Sequence, residues 1–263
     1  VVDNKSGAAG AIGVADVAKA EPDGHTLLLS INDPLVNNTA LFKSLPFDTL
    51  RDFAPVSKLA SFDLVIAVSA TGRFKTLAEL LAYGQANPGK LNIGTPNVGT
   101  TQNLAAELFK STAGLEAQVV PFNGTPPVIT ALRGGEIDAM LDILGPLMPQ
   151  IKAGALRPLA VLGDHRAPQL PEVPTARENG GKLSGFHASS WNGLAVPAKT
   201  PKDVIARLNK ELTAILAMPD IKKRLLELNL SAQSSTPEQL QDLLAADIKR
   251  WGDVIAQAKI AKH

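Results

Sequence analysis

Leu91-Asn92-Ile93-Gly94-Thr95-Pro96-Asn97-Val98-Gly99-Thr100-Thr101-Gln102-Asn103-Leu104-Ala105-Ala106-Glu107-Leu108-Phe109 reads as a short strand, a small-residue loop and a helix. A helix that opens at Thr100 or Thr101 leaves its first amide N–H groups without intrahelical acceptors, and its dipole favours negative charge at that end. Gly99 lets a ligand come close to the backbone. The hydroxyls of Thr95, Thr100 and Thr101 and the amide of Asn97 add neutral hydrogen bonds, which suit a carboxylate held without a fixed counter-charge. The same residues satisfy ordinary N-capping by a threonine, so on this stretch alone an anion site and a plain cap stand equal.

Upstream, Asn87-Pro88-Gly89 breaks a helix over Leu77–Asn87, and Asp63–Ala70 is a β-rich run. Downstream, strands are expected at Gln118–Phe122, Ile137–Asp142 and Arg157–Leu162, with helices at Val128–Arg133 and Met148–Ala153 closed by Gly134-Gly135 and Gly154. Alternation at this spacing predicts an α/β domain with largely parallel strands. Asn123-Gly124-Thr125 repeats the strand-loop-helix arrangement of the first motif. Asp142 falls at the carboxyl end of a predicted strand, where open parallel sheets place ligands. It either orients the neighbouring loops, meets a cationic part of a ligand, or caps the turn before Gly145-Pro146.

Nearer the start, Val1–Asp3 reads as the tail of a strand, Gly7–Gly13 opens a helix that runs to Ala20, and His25–Ser30 is an apolar strand followed by Ile31-Asn32-Asp33. The glycine order G-x-x-G-x-x-G differs from the dinucleotide fingerprint, so nucleotide binding is not supported. Beyond Gly163, the Pro-rich stretch from Ala167 to Thr175 reads as a surface excursion. Ser189–Pro197 reads as a strand, and helices follow at Lys202–Ala217, Ile221–Leu228 and Pro237–Ala258. Leu240, Leu243, Leu244, Ile248 and Trp251 recur at helical spacing, which makes Trp251 a core residue rather than a ligand contact.

The 263 residues allow one large or two medium α/β domains, and a 45% hydrophobic content is enough for real cores. A net charge of +1 without a basic block, with one Tyr and two Trp, gives no basis for nucleic-acid binding. The absence of cysteine removes disulfides, thiolate metal sites and cysteine nucleophiles. His25, His165, His187 and His263 have no partner at metal-ligand spacing, and neither a G-x-S-x-G elbow nor a P-loop occurs. No catalytic residue, metal or cofactor is therefore expected. No stretch has the length of a membrane span, and Val1-Val2-Asp3 is neither a signal peptide nor an initiation site, so the chain reads as a fragment or a processed form.

Many ordered segments resemble the substrate-binding proteins of tripartite tricarboxylate transporters (the TctC or Bug family). They include Asp3-Asn4-Lys5-Ser6-Gly7-Ala8-Ala9-Gly10, Pro22-Asp23-Gly24-His25-Thr26-Leu27-Leu28, Asn87-Pro88-Gly89-Lys90-Leu91-Asn92, Gly99-Thr100-Thr101, Ile151-Lys152-Ala153-Gly154, Leu170-Pro171-Glu172-Val173-Pro174-Thr175 and Ser190-Trp191-Asn192-Gly193-Leu194. The resemblance covers essentially the whole chain. It implies an α/β, two-lobed periplasmic-binding-protein fold of type II with a ligand cleft, lobe 1 from residues 1–66 and 191–263 and lobe 2 from residues 67–190. It also implies that this sequence lacks the family's first strand-helix unit.

The implied function is periplasmic capture of a small carboxylate (a di- or tricarboxylate, an acidic amino acid or an aromatic acid) by a monomer, for delivery to membrane permease subunits. A ligand sensor presenting the solute to a signalling receptor is the alternative; the lack of any nucleophile-base pair argues against an enzyme. Asn97, Gly99, Thr100 and Thr101 are the expected anion contacts, with Asn123, Gly124 and Asp142 completing the wall. Ser30, Asn32, Asp33 and Ser190 are expected from the other lobe. Asp33 either pairs with an ammonium group, making the ligand amino-acid-like, or caps the turn before Pro34.

Overall fold

In the computed structural model, which describes residues 1–262, a 3₁₀ turn at Ala8–Gly10 runs into α1 (Ala11–Ala18). Gly10 carries a φ of 86°, and a Cβ there would stand 2.6 Å from Pro34 Cγ, so a close approach and a left-handed backbone both call for glycine. The strand expected at Val1–Asp3 does not form: among the described residues no strand pairs with it, and Val1 is fully exposed. β1 (Leu28–Ile31) leads into the short helices α2 (Asn32–Leu35) and α3 (Asn37–Leu41). The Asp48 carboxylate caps α4 (Thr49–Asp52) by accepting from the N–H groups of Leu50 and Arg51, both at 3.0 Å.

β2 (Phe53–Ser69) is a single long strand, of which only the second half, where Leu64–Val68 are buried, was legible as a β-rich run. It is followed by α5 (Leu77–Ala86), β3 (Leu91–Pro96), α6 (Thr101–Ala113), β4 (Ala117–Phe122), α7 (Thr125–Gly134), β5 (Ala139–Ile143), α8 (Leu144–Lys152) and β6 (Leu156–Val161). α8 begins four residues before the expected Met148. Pro146 is tolerated in a first turn, where its missing N–H has no intrahelical acceptor. The chain closes with β7 (Ser189–Pro197), α9 (Lys202–Ala217), α10 (Pro219–Glu227), the two-residue β8 (Ser231–Ala232) and α11 (Pro237–Gln257), the last opened by a capping box between Thr236 and Gln239.

The described chain forms two compact units, Val1–Ser61 with the residues from Ser190 onward, and Phe62–Ser189. The first division falls a few residues before the expected 66/67, because Leu64–Ile66 pair with β5 and β6, and the second falls one residue before the expected 190/191. In the first unit β1 pairs antiparallel with β7, Leu28 opposite Ala195, and the first half of β2 pairs with β8. α11 packs its stripe inward with Leu240, Leu244 and Trp251 buried, and Trp191 Nε1 donates to Asp247 at 2.9 Å. His263 lies outside the described residues.

In the second unit the strand order is β6-β2-β5-β3-β4. β3, β4, β5 and β6 run one way and β2 runs against them, so the parallel expectation holds for all but one strand of this sheet. One face of the sheet buries Val65, Ala67, Met140 and Val161 under Val128 and Leu132 of α7 and Leu144 and Leu147 of α8. Ala167, Leu170 and Val173 join that core, which corrects the reading of the Pro-rich stretch as a surface excursion. The apolar residues recur every third position, and turns such as Leu170 N–H to Ala167 O at 2.9 Å fold them onto one side.

Gly94 in β3 lets α7 lie close to the sheet, since a Cβ there would be 2.3 Å from Ile137 Cδ1 and 2.9 Å from Val128 Cγ1. Gly94→Ala should destabilise the chain by about 1–3 kcal/mol, the usual effect of overpacking a filled core. Urea unfolding is expected to show a lower midpoint with an unchanged slope.

Candidate functional site

The connection after β3 leads outward to β4 and the connection after β5 leads the other way to β6, so the neighbouring strands β3 and β5 flank a switch point of the second unit's sheet, and such points leave a crevice at the carboxyl ends of the strands. α6, α7 and α8 all start at that edge, following β3, β4 and β5. Three positive helix ends and two small-residue loops therefore share one edge of one unit.

The loop after β3 is held from below. Thr100 is the N-cap of α6 and accepts from Asn103 N–H at 3.3 Å, while its hydroxyl donates to Asn97 O at 2.9 Å. Asn103, itself buried, accepts from Gly99 N–H at 3.1 Å and donates to Thr95 Oγ1 at 3.0 Å. The threonine is thus a real cap, and the capped loop still leaves Asn97 exposed and Thr100 half-buried at the edge. Thr101 and Gly99 are buried. Pro96 lies opposite Phe122 in the parallel ladder, so the loops that carry Asn97 and Asn123 leave the sheet side by side. Gly124, at φ 92°, is the N-cap of α7 and has no side chain to offer, and Asn123 is exposed beside it.

Asp142 ties these pieces together. Its side chain is fully buried next to the last residue of β5. Thr125 Oγ1, the first hydroxyl of α7, donates to Asp142 Oδ2 at 2.7 Å, while Asp142 Oδ1 accepts from Gln102 Nε2 of α6 at 3.3 Å and from Ile143 N–H, at the start of α8, at 2.7 Å. Burial pushes the carboxyl above the ordinary range, and the bonds from Thr125, Ile143 and Gln102 pull it part of the way back. Of the roles open in sequence, orienting the loops is the one these contacts describe.

The remaining candidates lie in the first unit. Ser30 is buried and donates to Ile31 O at 2.8 Å; Ser190 Oγ donates to Asn32 Oδ1, with both residues buried. Asp33 sits inside the first turn of α2, where Pro34 continues the helix instead of ending a turn, and its carboxylate accepts from Asn37 Nδ2 at 3.1 Å. Gln102 and Asn103 were not singled out in the sequence, and Thr125 stood there only as the end of the Asn123-Gly124-Thr125 loop. Their types are common helix-start residues, and only the tertiary pairing with Asp142 and Thr95 distinguishes them.

Among the described residues no group of three His, Cys, Asp or Glu could hold a metal ion, and no helix is long and apolar enough to cross a membrane. Residues 1–260 match the family model described as the tripartite tricarboxylate transporter family receptor. The chain belongs to this family. BugT of Bordetella pertussis (strain Tohama I) is 31% identical over 258 residues, covering 98% of this chain and 78% of BugT. The solved structure of R. palustris Rpa4515 with adipate superposes with a TM-score of 0.84 at 31% identity, covering 100% of this chain and 87% of that one. MatC (Rpa3494) from Rhodopseudomonas palustris, with bound malate, gives a TM-score of 0.75 at 31% identity over 95% of this chain and 85% of its own. The family is one of solute-binding receptors with an α/β periplasmic-binding-protein fold, as the sequence resemblance implied.

Asp142→Asn places an amide N–H₂ among three donors, and should destabilise the chain by about 1–3 kcal/mol at neutral pH through a buried group left unpaired. Because the folded-state pKa is raised, the stability linked to this proton is complete below the ordinary carboxylate range and is lost as pH rises through the raised value. Chemical denaturation at several pH values should therefore show the gap between wild type and variant widening as the solution is acidified.

Proposed function

We propose that this chain is a periplasmic receptor that captures a small carboxylate at the carboxyl edge of its second unit, for delivery to a membrane transporter of the tripartite tricarboxylate type. The observation that carries this reading is the convergence of the α6, α7 and α8 starts on one sheet edge, with the neutral loops Asn97–Thr101 and Asn123–Thr125 between them. Backbone N–H groups and helix dipoles hold an anion without the desolvation cost of burying a lysine or arginine beside it. Asn97, Gly99, Thr100, Thr101, Asn123 and Gly124 are the proposed contacts, and Asp142 positions the helix starts that carry them. The adipate and malate bound by the two structural neighbours support the ligand class. Binding and release, with no covalent step, is the proposed chemistry.

The test is a thermal-shift and calorimetric screen with adipate, malate, citrate and glutamate, with adipamide, the uncharged diamide of adipate, as a matched comparison. A ligand at a hundred times its dissociation constant stabilises the folded state by about 2.7 kcal/mol. At least one carboxylate is expected to give such a shift and adipamide none. A flat response to every carboxylate, or an equal response to the diamide, contradicts the proposal.

A further inference from the structure

Asp63 is an acid that the reading above leaves without a task. β2 enters the second unit with Leu64 opposite Ile143 of β5 and Val65 opposite both Asp142 and Val161. Opposed residues of an antiparallel ladder project from the same face, and alternate residues return to it. Asp63 therefore lies on the face that carries Asp142, one step further toward the carboxyl ends of β5 and β6. The two are diagonal neighbours, about 7–8 Å apart in such ladders.

Gly163, just beyond β6, makes room for this carboxylate, since a Cβ at that position would stand 2.4 Å from Asp63 Oδ1. Asp142 is saturated by three donors, whereas among the described residues the Asp63 carboxylate has no hydrogen bond or ion pair. The charge that bears on it is the imidazole of His165; the adjacent Asp164 is already engaged by Arg177, at 2.6 Å. Burial raises the Asp63 carboxyl above its ordinary range, with His165 acting in the opposite direction. A half-buried carboxylate with no hydrogen bond or ion pair among the described residues, at the edge where neutral donors are gathered, repels a second carboxylate and attracts an ammonium.

We propose that Asp63 is a specificity-determining residue that accepts the ammonium group of the solute, so that the preferred ligands are amino-substituted carboxylates over plain diacids. This rests on the receptor reading above. The helix starts take the carboxylate and Asp63 takes the amine.

Isothermal titration of matched pairs tests it: L-glutamate against glutarate, L-aspartate against succinate, and 6-aminohexanoate against adipate, with wild type and Asp63→Asn. Wild type should bind the amino member of at least one pair tenfold or more tightly than its deaminated partner, and Asp63→Asn should abolish that ratio while binding the diacid equally well or better. Gly163→Ala, which crowds the carboxylate out of its seat, should lower the same ratio and stands in if Asp63→Asn does not fold. Diacids bound without an amino preference, or a preference kept in both variants, overturn the assignment of Asp63 while leaving the receptor reading intact. Binding of no member of any pair overturns both.

Discussion

A carboxylate removed from water must be met by donors, and the way Asp142 is met fixes the geometry of the second unit's proposed binding edge. Each of its partners belongs to a different helix start: Thr125 to α7, Gln102 to α6 and the Ile143 N–H to α8. The side chain is fully buried, so losing one of these bonds leaves an acceptor that solvent cannot reach. The helix dipoles favour the negative charge, and the charge in turn keeps the helix starts at one level. In the proposed function, a ligand anion arriving at the same edge meets donors that are already oriented, and little ordering remains to be done on binding.

The sheet makes that edge available. β3, β4, β5 and β6 deliver their carboxyl ends together, while β2 runs against them between β5 and β6 and brings Asp63 to the same side. Gly94 lets α7 come close enough for Thr125 to reach Asp142, and Asn103 fixes the loop on the opposite side of β3 by bonding both Gly99 and Thr95. Small residues at positions of close approach and buried amides under an exposed loop serve the same end, a rigid base below a polar rim.

Local chemistry made much of this legible in the sequence. The α6 start at Thr100-Thr101, the limits of β7 at Ser189 and Pro197 and the Thr236 cap of α11 are written in N-caps, prolines and apolar periods. What was not legible depends on neighbours distant in sequence. Val1–Asp3 has strand composition but no ladder, and the prolines between Ala167 and Thr175 hide three residues that complete a core. The first half of β2 lacks an apolar run, and α8 starts through a glycine and a proline. In the site, the loop residues stood out by type. Gln102, Asn103 and Asp63 did not, because their meaning lies in what the fold places beside them.

The central claim is that the starts of α6 and α7 are the anion-binding surface. It is tested most directly by recording amide resonances of the ¹⁵N-labelled chain while malate, adipate and glutamate are added in turn. The account predicts that, with whichever of these binds, the largest saturable shifts fall on Gly99, Thr101, Gly124 and Thr125, in the two loops that flank Asp142. Saturable shifts centred elsewhere in the chain, with those four amides unmoved, would contradict it.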